Sequence, residues 1–314
     1  MLYPKIYIGP MSKNVVNAIT EFCDETGNKV GLIPSRRQVE HNGGYVNKWT
    51  TKNFSKYTNK LVLKRDHSGP GQGYKDDDGY TSLKEDCNFF NLIHIDPWKK
   101  YPKYKDGLKW TINMIEFCYN INQDIEFEIG TEESIRKFSS DELYKLVKDL
   151  AFNLHPQVFN KIKYLVIQSG TSLKGNSNTG SYDKDRLLSM LSVAKKWNLL
   201  SKEHNGDYIP SNLIKEKMKL GLDSINIAPE FGLIETLSYI DEGIDINKFW
   251  KICYDSKRWE KWVDKDFDPI KQKLDLIKIC GHYVFSSKKF KKIKPNIDNI
   301  IKLNIKNKLN ELFK

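Results

Sequence analysis

Short runs of β-branched and other apolar residues alternate with longer stretches of helical periodicity along most of this chain, and this alternation constrains the fold more than any other feature. Eight such runs predict a (β/α)8 TIM barrel, whereas an open doubly wound sheet typically has roughly six strands. No G-x-G-x-x-G motif follows any run, which argues against a dinucleotide-binding domain. The predicted strands are Ile6–Ile8, Val30–Ile33, Leu61–Lys64, Leu92–Ile95, Ile125–Ile129, Tyr164–Ile167, Leu199–Ser201 and Ser224–Ile227.

Helical periodicity continues beyond the eighth predicted strand. A closing helix over Phe231–Ile240 is followed by three further helix-like segments, over Asn247–Trp262, Asp266–Cys280 and Ile297–Leu312. The sequence therefore predicts a barrel over residues 1–242 and a C-terminal helical extension over residues 243–314 that packs on the barrel. The helices predicted between the strands include Val15–Phe22, Leu108–Tyr119, Asp141–Phe152, Lys184–Trp197 and Ser211–Met218.

The chain carries a formal net charge of +11, from 51 lysines and arginines against 40 aspartates and glutamates. The lysines are spread along the chain and do not form one basic block with interleaved aromatic residues, which disfavours nucleic acid as the partner. A small phosphorylated substrate explains the positive charge more simply.

The cysteine pattern and the hydropathy pattern bear on the cellular compartment. Five cysteines lie far apart without a C-x-x-C motif, and no apolar run approaches the ~18 residues of a transmembrane helix. The N-terminal residues lack the basic and apolar regions of a signal peptide. We therefore expect a cytoplasmic protein with reduced thiols and no membrane partner.

Polar side chains gather where the predicted strands end, which is where barrel enzymes place their chemistry. The third strand leads into Asp66-His67, and the seventh is followed by Glu203-His204. An imidazole beside a carboxylate suits a divalent metal, which is zinc if several imidazoles bind and manganese or magnesium if oxygen ligands dominate. His94 lies within its strand, so a structural and a functional role both stay open. Further candidates at strand ends are Glu132, Gln168 and Glu230.

Two features suit an anionic group of a substrate. The loop Ser169–Ser181 is the most polar and glycine-rich stretch, and its backbone and hydroxyl groups suit an anion, although a flexible surface loop has the same composition. Arg36 and Arg37 offer bidentate geometry for a phosphate, but surface ion pairing explains them equally well. The candidate substrate- and phosphate-binding residues are Arg36, Arg37, Gln38, His94, Asp96, Ser169, Gly170, Thr171, Lys174 and Asn205.

Six short motifs, in order at the predicted strand ends, carry a resemblance to a known family. With them the chain resembles the tagatose-bisphosphate aldolase accessory-subunit family, relatives of the class II aldolases, over roughly residues 5–290. The chain departs from the family pattern at Ala228-Pro229-Glu230 and in the insertion Gly175–Ser181. The motifs are Gln38-Val39 with Gly43-Gly44-Tyr45, Asp66-His67-Ser68-Gly69-Pro70, Ile93-His94-Ile95-Asp96, Ile129-Gly130-Thr131-Glu132, Ile167-Gln168-Ser169-Gly170 and Glu203-His204-Asn205-Gly206-Asp207-Tyr208.

The resemblance implies roles for individual residues. Asp66 would be the proton-transferring carboxylate and His67 a zinc ligand. Zinc-dependent class II aldolases take their other histidine ligands from strands six and seven, where this chain has Gln168 and His204. We therefore expect His67, His204 and Gln168 to bind a divalent metal, zinc before manganese or magnesium.

Three hypotheses for the function follow. The leading one is a metal-dependent carbohydrate enzyme that performs aldol-type chemistry on a ketose phosphate through an enediolate, with Asp66 moving the proton. The second is epimerisation of a ketose phosphate at the same site, in which Glu132 or Glu230 serves as a second acid or base. The third is a non-catalytic accessory subunit of a tagatose-bisphosphate aldolase. A homo-oligomer and an aldolase partner subunit both stay open.

Overall fold

The chain forms a closed barrel of eight parallel strands in the computed structural model, which describes residues 3–313. Strand β1 pairs with both β2 and β10, and this pairing closes the barrel. The prediction of a (β/α)8 TIM barrel is confirmed. The barrel strands are β1 (Ile6–Ile8), β2 (Val30–Leu32), β3 (Val62–Ser68), β4 (Leu92–Ile95), β5 (Glu126–Ile129), β6 (Ile162–Ile167), β9 (Leu200–Glu203) and β10 (Ser224–Ile227), and β7 (Leu173–Lys174) and β8 (Ser177–Asn178) form a separate hairpin.

Amphipathic helices pack around the barrel. Helix α1 shows the pattern, because it buries Val15, Ile19 and Phe22 on one face and begins where the Ser12 hydroxyl accepts a backbone N–H. The helices are α1 (Lys13–Thr26), α2 (Thr51–Tyr57), α3 (Tyr80–Phe89), α4 (Tyr104–Ile121), α5 (Ser140–Asn153), α6 (Pro156–Phe159), α7 (Lys184–Lys196), α8 (Ser211–Lys219), α9 (Pro229–Asp241), α10 (Ile246–Ser256), α11 (Lys273–Cys280), α12 (Lys288–Lys291) and α13 (Asp298–Phe313). None of the helices within residues 3–313 is long and apolar enough to cross a membrane.

Charged residues fill part of the barrel interior. Lys64 on β3, Glu128 on β5 and Lys202 on β9 are completely buried. The Lys64 and Lys202 ammonium groups lie 2.5 Å and 3.2 Å from the two carboxylate oxygens of Glu128. Lys202 also lies over the rings of Tyr7 and Tyr164, at 3.4 Å and 4.2 Å from the centroids. A buried charge is tolerated only when it is paired, so this layer depends on all three ionic groups together.

The extension packs on the barrel through its last helix. Helix α13 contacts α1, α8 and α9, and it buries Ile301, Ile305 and Leu309 at a spacing of four residues. This spacing places the three side chains on one face of the helix, which is the face that meets the barrel helices.

Two predicted helices of the extension are shorter in the structure. The helix predicted over Asn247–Trp262 ends with α10 at Ser256, because Lys257 adopts a left-handed conformation with φ 55°. A separate 3-10 turn follows over Glu260–Trp262. The helix predicted over Asp266–Cys280 begins only at Lys273, after Asp268-Pro269, and the residue before a proline disfavours helix.

Candidate active site

A pocket of about 290 Å³ opens at the carboxyl ends of the barrel strands. Strand ends and βα-loops form one side of its wall, and the extension forms the other through Lys261, Trp262, His282 and Tyr283. Its volume suits a small molecule such as a monosaccharide derivative.

Three histidines and one aspartate meet at the bottom of this pocket. One ligand atom from each of Asp66, His67, His94 and His204 lies within 4.8 Å of the others. In a regular strand Asp66 and His67 would face opposite sides. Here the β3–β4 register shifts between Arg65 and Ser68, and His67 has φ 44°, so both side chains reach the same cluster.

Two of the histidines are oriented by buried carboxylates. His67 Nδ1 lies 2.6 Å from Asp96 Oδ2, and His204 Nε2 lies 2.8 Å from Glu128 Oε1. The other ring nitrogens, His67 Nε2 and His204 Nδ1, lie 3.6 Å and 3.9 Å from the Asp66 carboxylate. A carboxylate behind each imidazole orients the ring and directs its other nitrogen to the cluster, where that nitrogen would bind a metal in its deprotonated form.

The third histidine, His94, is held from both sides. Its Nε2 donates to the carbonyl of Gly130 at 3.0 Å, and its Nδ1 accepts the backbone N–H of His67 at 3.3 Å. The same Nδ1 lies 3.7 Å from Asp66 Oδ1. His94 therefore also directs a lone pair toward the cluster, although that lone pair already has one long hydrogen bond.

The cluster fits a divalent metal ion. Three imidazole nitrogens and one carboxylate are a zinc-type donor set. Their ligand atoms lie within 4.8 Å of one another, so small side-chain movements would bring all four to one ion. The side chains behind the donors, Asp96 and Glu128, are the kind of partner that orients histidine ligands in metalloproteins.

The cluster's charges stabilise an ionised aspartate. Burial raises the pKa of Asp66, but the neighbouring His67 and His204 outweigh burial and hold that pKa well below its usual range. Burial lowers the pKa of His204 to about 4, which keeps this imidazole neutral, the form that binds metals. Burial opposes a charge on His67 as well, but Asp66 and Asp96 prevail and raise its pKa to about 10.

Glu128 stays ionised although it is completely buried. Burial raises the pKa of its carboxyl, but Lys202 and Lys64 outweigh that effect and hold the pKa well below the usual value. The ion-paired layer inside the barrel therefore supplies a permanent negative charge behind His204.

Gln168 is not brought to the cluster, which corrects the prediction that it binds the metal. Its amide oxygen accepts the backbone N–H of Phe138 and an N–H of Arg186, both at 2.9 Å. Its amide nitrogen donates to the carbonyls of Thr131 and Arg136. All of these bonds lie toward the loops around the barrel, and the third imidazole of the cluster comes from His94.

Glu230 also points away from the pocket. Its carboxylate accepts the backbone N–H of Tyr208 at 2.8 Å and pairs with Lys308 of α13 at 2.6 Å. A second acid or base was predicted at Glu230 from the sequence, but these contacts make Glu230 a link between α9 and the extension.

The loop predicted to bind a phosphate is occupied by contacts within the protein. The hydroxyls of Ser169 and Thr171 both donate to Glu203, and Lys174 pairs with Asp264 of the extension.

The predicted site residues fall into three groups. Those in the pocket wall are Arg37, Gln38, Asp66, His67, Glu132, His204 and Asn205. Two residues, His94 and Asp96, are completely buried. Those outside the wall are Arg36, Gln168, Ser169, Gly170, Thr171, Lys174 and Glu230.

The sequence analysis missed several residues of the wall. Asn226 is two residues beyond Ser224 on the inner face of β10, and its amide donates to Asp66 at 3.4 Å, so strand periodicity was the available signal. Lys261, Trp262 and Tyr283 had no such signal, because they lie well beyond the last predicted strand, and Lys99 was one of many lysines in the predicted βα-loops.

Comparison with known proteins supports the fold. No protein-family model matches the sequence, and no curated protein matches it. A probable tagatose 6 phosphate kinase from Sinorhizobium meliloti has a similar structure, with a TM-score of 0.77 and 13% identity over 99% of both chains. Two more distant structures are the YdjI aldolase from Escherichia coli K12 and the fructuronate-tagaturonate epimerase UxaE from Cohnella laeviribosi.

The YdjI aldolase has a TM-score of 0.58 and 11% identity over 92% of this chain and 90% of its own. The epimerase has a TM-score of 0.61 and 9% identity over 98% of this chain and 78% of its own. At these sequence identities, the structural similarity is evidence for a shared fold alone. This protein therefore has the TIM-barrel fold that an aldolase and a sugar-acid epimerase also have.

Proposed function

We propose that this protein is a divalent-metal-dependent enzyme that performs aldol-type chemistry on a ketose phosphate. The observation that carries the proposal is the convergence of His67, His94 and His204 on Asp66 at the bottom of the pocket. These donors lie at the carboxyl ends of the barrel strands, which is the usual place for catalysis in this fold.

His67, His204 and His94 would hold the metal, and an imidazole-rich set favours zinc. When bound, the ion would polarise the ketone of the substrate and stabilise negative charge on its oxygen. Glu128 and Asp96 would keep the imidazoles in the correct tautomer.

Asp66 would move the proton. Its carboxylate is in the pocket wall and is ionised, so it is placed to accept the proton of the hydroxyl group β to the ketone as the carbon–carbon bond breaks. Asn226, which donates to Asp66, would hold the carboxylate in position. In the direction of bond formation, the same carboxyl would return the proton.

Epimerisation of the same class of sugar is the second candidate, and one observation favours it. Glu132 is in the wall of the same pocket as Asp66, so two carboxylates face the space where a sugar would bind. Proton transfer at two positions of a sugar uses two such groups. Glu230 no longer contributes to this hypothesis because it pairs with Lys308.

Metal analysis of the purified protein tests the common element of both candidates. We expect about one divalent ion per chain in the wild type, and a loss of most of it in His67→Ala and His204→Ala. His155→Ala is the matched control, because His155 is an exposed residue at the start of α6. Equal metal content in all four proteins would remove the metal from the proposal.

Product analysis then separates the three hypotheses. The metal-loaded enzyme is incubated with ketose monophosphates and bisphosphates, and nuclear magnetic resonance detects either triose release or a new epimer. Triose release supports the aldolase, and an epimer without trioses supports the epimerase. Turnover that begins only when an aldolase subunit is added supports the accessory role.

A further inference from the structure

We propose that Arg37, Lys99 and Lys261 form a clamp for the anionic end of the substrate, and that the C-terminal extension is therefore part of the active site. This inference rests on the proposed function, since it concerns the same pocket and deepens the description of its ligand. The clamp combines one residue from each of two βα-loops with one from the 3-10 turn of the extension.

The clamp residues are the lysines and the arginine of the pocket wall, and each of them lacks a carboxylate partner among the described residues. Arg36 pairs with Glu40 and Asp77, whereas its neighbour Arg37 donates only to the carbonyl of Gly73, at 3.2 Å. Among the residues that the structure describes, no carboxylate lies within ion-pair distance of Arg37.

The same contrast recurs one loop away. Lys100 pairs with Asp76 at 2.6 Å, whereas Lys99 has no carboxylate within 4.0 Å in the described part of the chain and is part of the pocket wall. In both loops, one cation is paired with a carboxylate and the adjacent cation is in the pocket wall without one.

Lys261 brings a third positive charge to the same place. It lies 4.3 Å from the centroid of the Trp262 ring, and no carboxylate among residues 3–313 pairs with it. Desolvation, together with the charges of Arg37 and Lys99, lowers the pKa of Lys261 to about 7. Like charges that lie close together repel one another, and a bound anion would offset this repulsion.

The extension holds Lys261 at the pocket by specific contacts. The Trp262 indole donates to the Tyr283 hydroxyl at 3.2 Å, and Arg258 lies over the Tyr283 ring. The left-handed Lys257 ends α10 just before this segment and turns the chain into the 3-10 helix. The break in the predicted helix is therefore what places Lys261 in the wall.

This arrangement defines a class of ligand. The pocket joins a metal-type cluster to three unneutralised cations within about 290 Å³, so it suits a small sugar with an anionic end and disfavours a neutral sugar. A phosphate and a sugar-acid carboxylate share this chemistry. Arginine and lysine bind either group by charge-assisted hydrogen bonds.

Calorimetric titration of the full chain tests the clamp without relying on turnover. The probes are fructose 6-phosphate, fructuronate, fructose and inorganic phosphate, each added to metal-stripped and to zinc-loaded protein. We expect at least one anionic sugar to bind about tenfold or more tightly than fructose. The anion that shows this preference identifies the phosphate or the carboxylate as the group that the clamp holds.

Matched variants then assign the preference to the clamp. Lys261→Met should weaken binding of the preferred anionic sugar about tenfold or more and leave fructose unchanged, whereas Lys261→Arg should retain most of the affinity. Lys265→Met, an exposed lysine of the same segment outside the wall, should behave like the wild type. Lys99→Met and Lys100→Met form a second matched pair, and only the former should weaken binding.

Two results would overturn the clamp. One is fructose binding as tightly as both anionic sugars, and the other is Lys261→Met binding the preferred anion as the wild type does. Loss of the metal site alone is distinguishable, because inorganic phosphate would still bind the metal-stripped wild type more tightly than metal-stripped Lys261→Met. Thermal melting of each variant verifies that the compared proteins are folded.

Discussion

Replacing Asp96 by asparagine isolates the role of the carboxylate behind His67. Asp96 Oδ2 accepts from His67 Nδ1 at 2.6 Å and from Gln72 at 3.1 Å, while Oδ1 accepts the backbone N–H of Trp98 at 3.3 Å. All three partners are donors. An asparagine must turn its NH2 group toward one side, so either His67 and Gln72 or Trp98 would face another donor.

The expected effect is on metal affinity. If asparagine keeps its oxygen toward His67, the hydrogen bond loses the charge of the acceptor. If it turns its NH2 group there, the tautomer of His67 that presents Nε2 to the cluster is no longer favoured. Loss of such a carboxylate partner lowers metal affinity by about 10- to 100-fold, which corresponds to about 1.4–2.7 kcal/mol.

Competition with a zinc-binding fluorescent chelator measures this change directly. The control is Asp255→Asn, because Asp255 lies at the surface of α10 and pairs only with exposed lysines. Asp96→Asn should bind zinc more weakly than both the wild type and this control at equal thermal stability. The same zinc affinity in all three proteins would refute the argument that Asp96 orients a metal ligand.

Three further substitutions have definite expected outcomes. Asp66→Asn should lower turnover by ~10²–10⁴-fold even when the variant is saturated with metal, and wild-type turnover of the saturated variant would reduce Asp66 to a positioning residue. Glu230→Gln should leave turnover per folded molecule unchanged and lower stability to denaturant by up to about 1 kcal/mol, because it weakens the pair with Lys308. Burial raises the pKa of Glu235 to about 7 from 4.5, so the folded protein retains a proton there that the unfolded chain loses. Glu235 should therefore contribute about 3 kcal/mol of stability that is lost as pH rises from roughly 4.5 to 7, and the pH dependence of Glu235→Gln, measured by denaturant titration, should lack that contribution.

The barrel was predictable because its strands are short and buried on both faces. Runs such as Ile6–Ile8 and Ser224–Ile227 stand out against the longer helical periods around them, and both are strands within the same bounds. The position of part of the cluster was predictable from the strand ends. Asp66 on β3 and His204 directly after β9 lie at strand ends on opposite sides of the barrel, and the same strand-end pattern identified both.

Position at a strand end does not determine where a side chain points. Gln168 and Glu230 both follow strands, yet Gln168 turns to Arg186 and the surrounding carbonyls, and Glu230 turns to Lys308. These partners lie far away in the sequence, and a single sequence contains no signal that pairs them. For His67 the deviation has the reverse effect. In a regular strand its side chain would face away from that of Asp66, but the local backbone distortion brings it to the cluster.

The clamp residue Lys261 was beyond prediction for a different reason. The segment Asn247–Trp262 has helical periodicity throughout. A continuous helix over this segment would not predict that Lys261 lies at the barrel mouth. The left-handed turn at Lys257 ends that helix, and non-glycine residues adopt this conformation only in particular contexts. The tertiary contacts of Trp262 with Tyr283 supply that context here.

The charges beneath the cluster favour an enzyme over an accessory subunit. Three carboxylates, Asp66, Asp96 and Glu128, face the two buried amines of Lys64 and Lys202 and the imidazole of His67, whose pKa is raised to about 10. A divalent ion would displace the proton of His67 and add positive charge among these carboxylates, which is favourable where negative charge develops on a ketone oxygen. Burying five ionic groups is costly, and an apolar interior is often as stable or more so. A purely structural partner subunit would gain nothing from this layer, whereas a catalyst that must hold a metal and stabilise an oxyanion would need it.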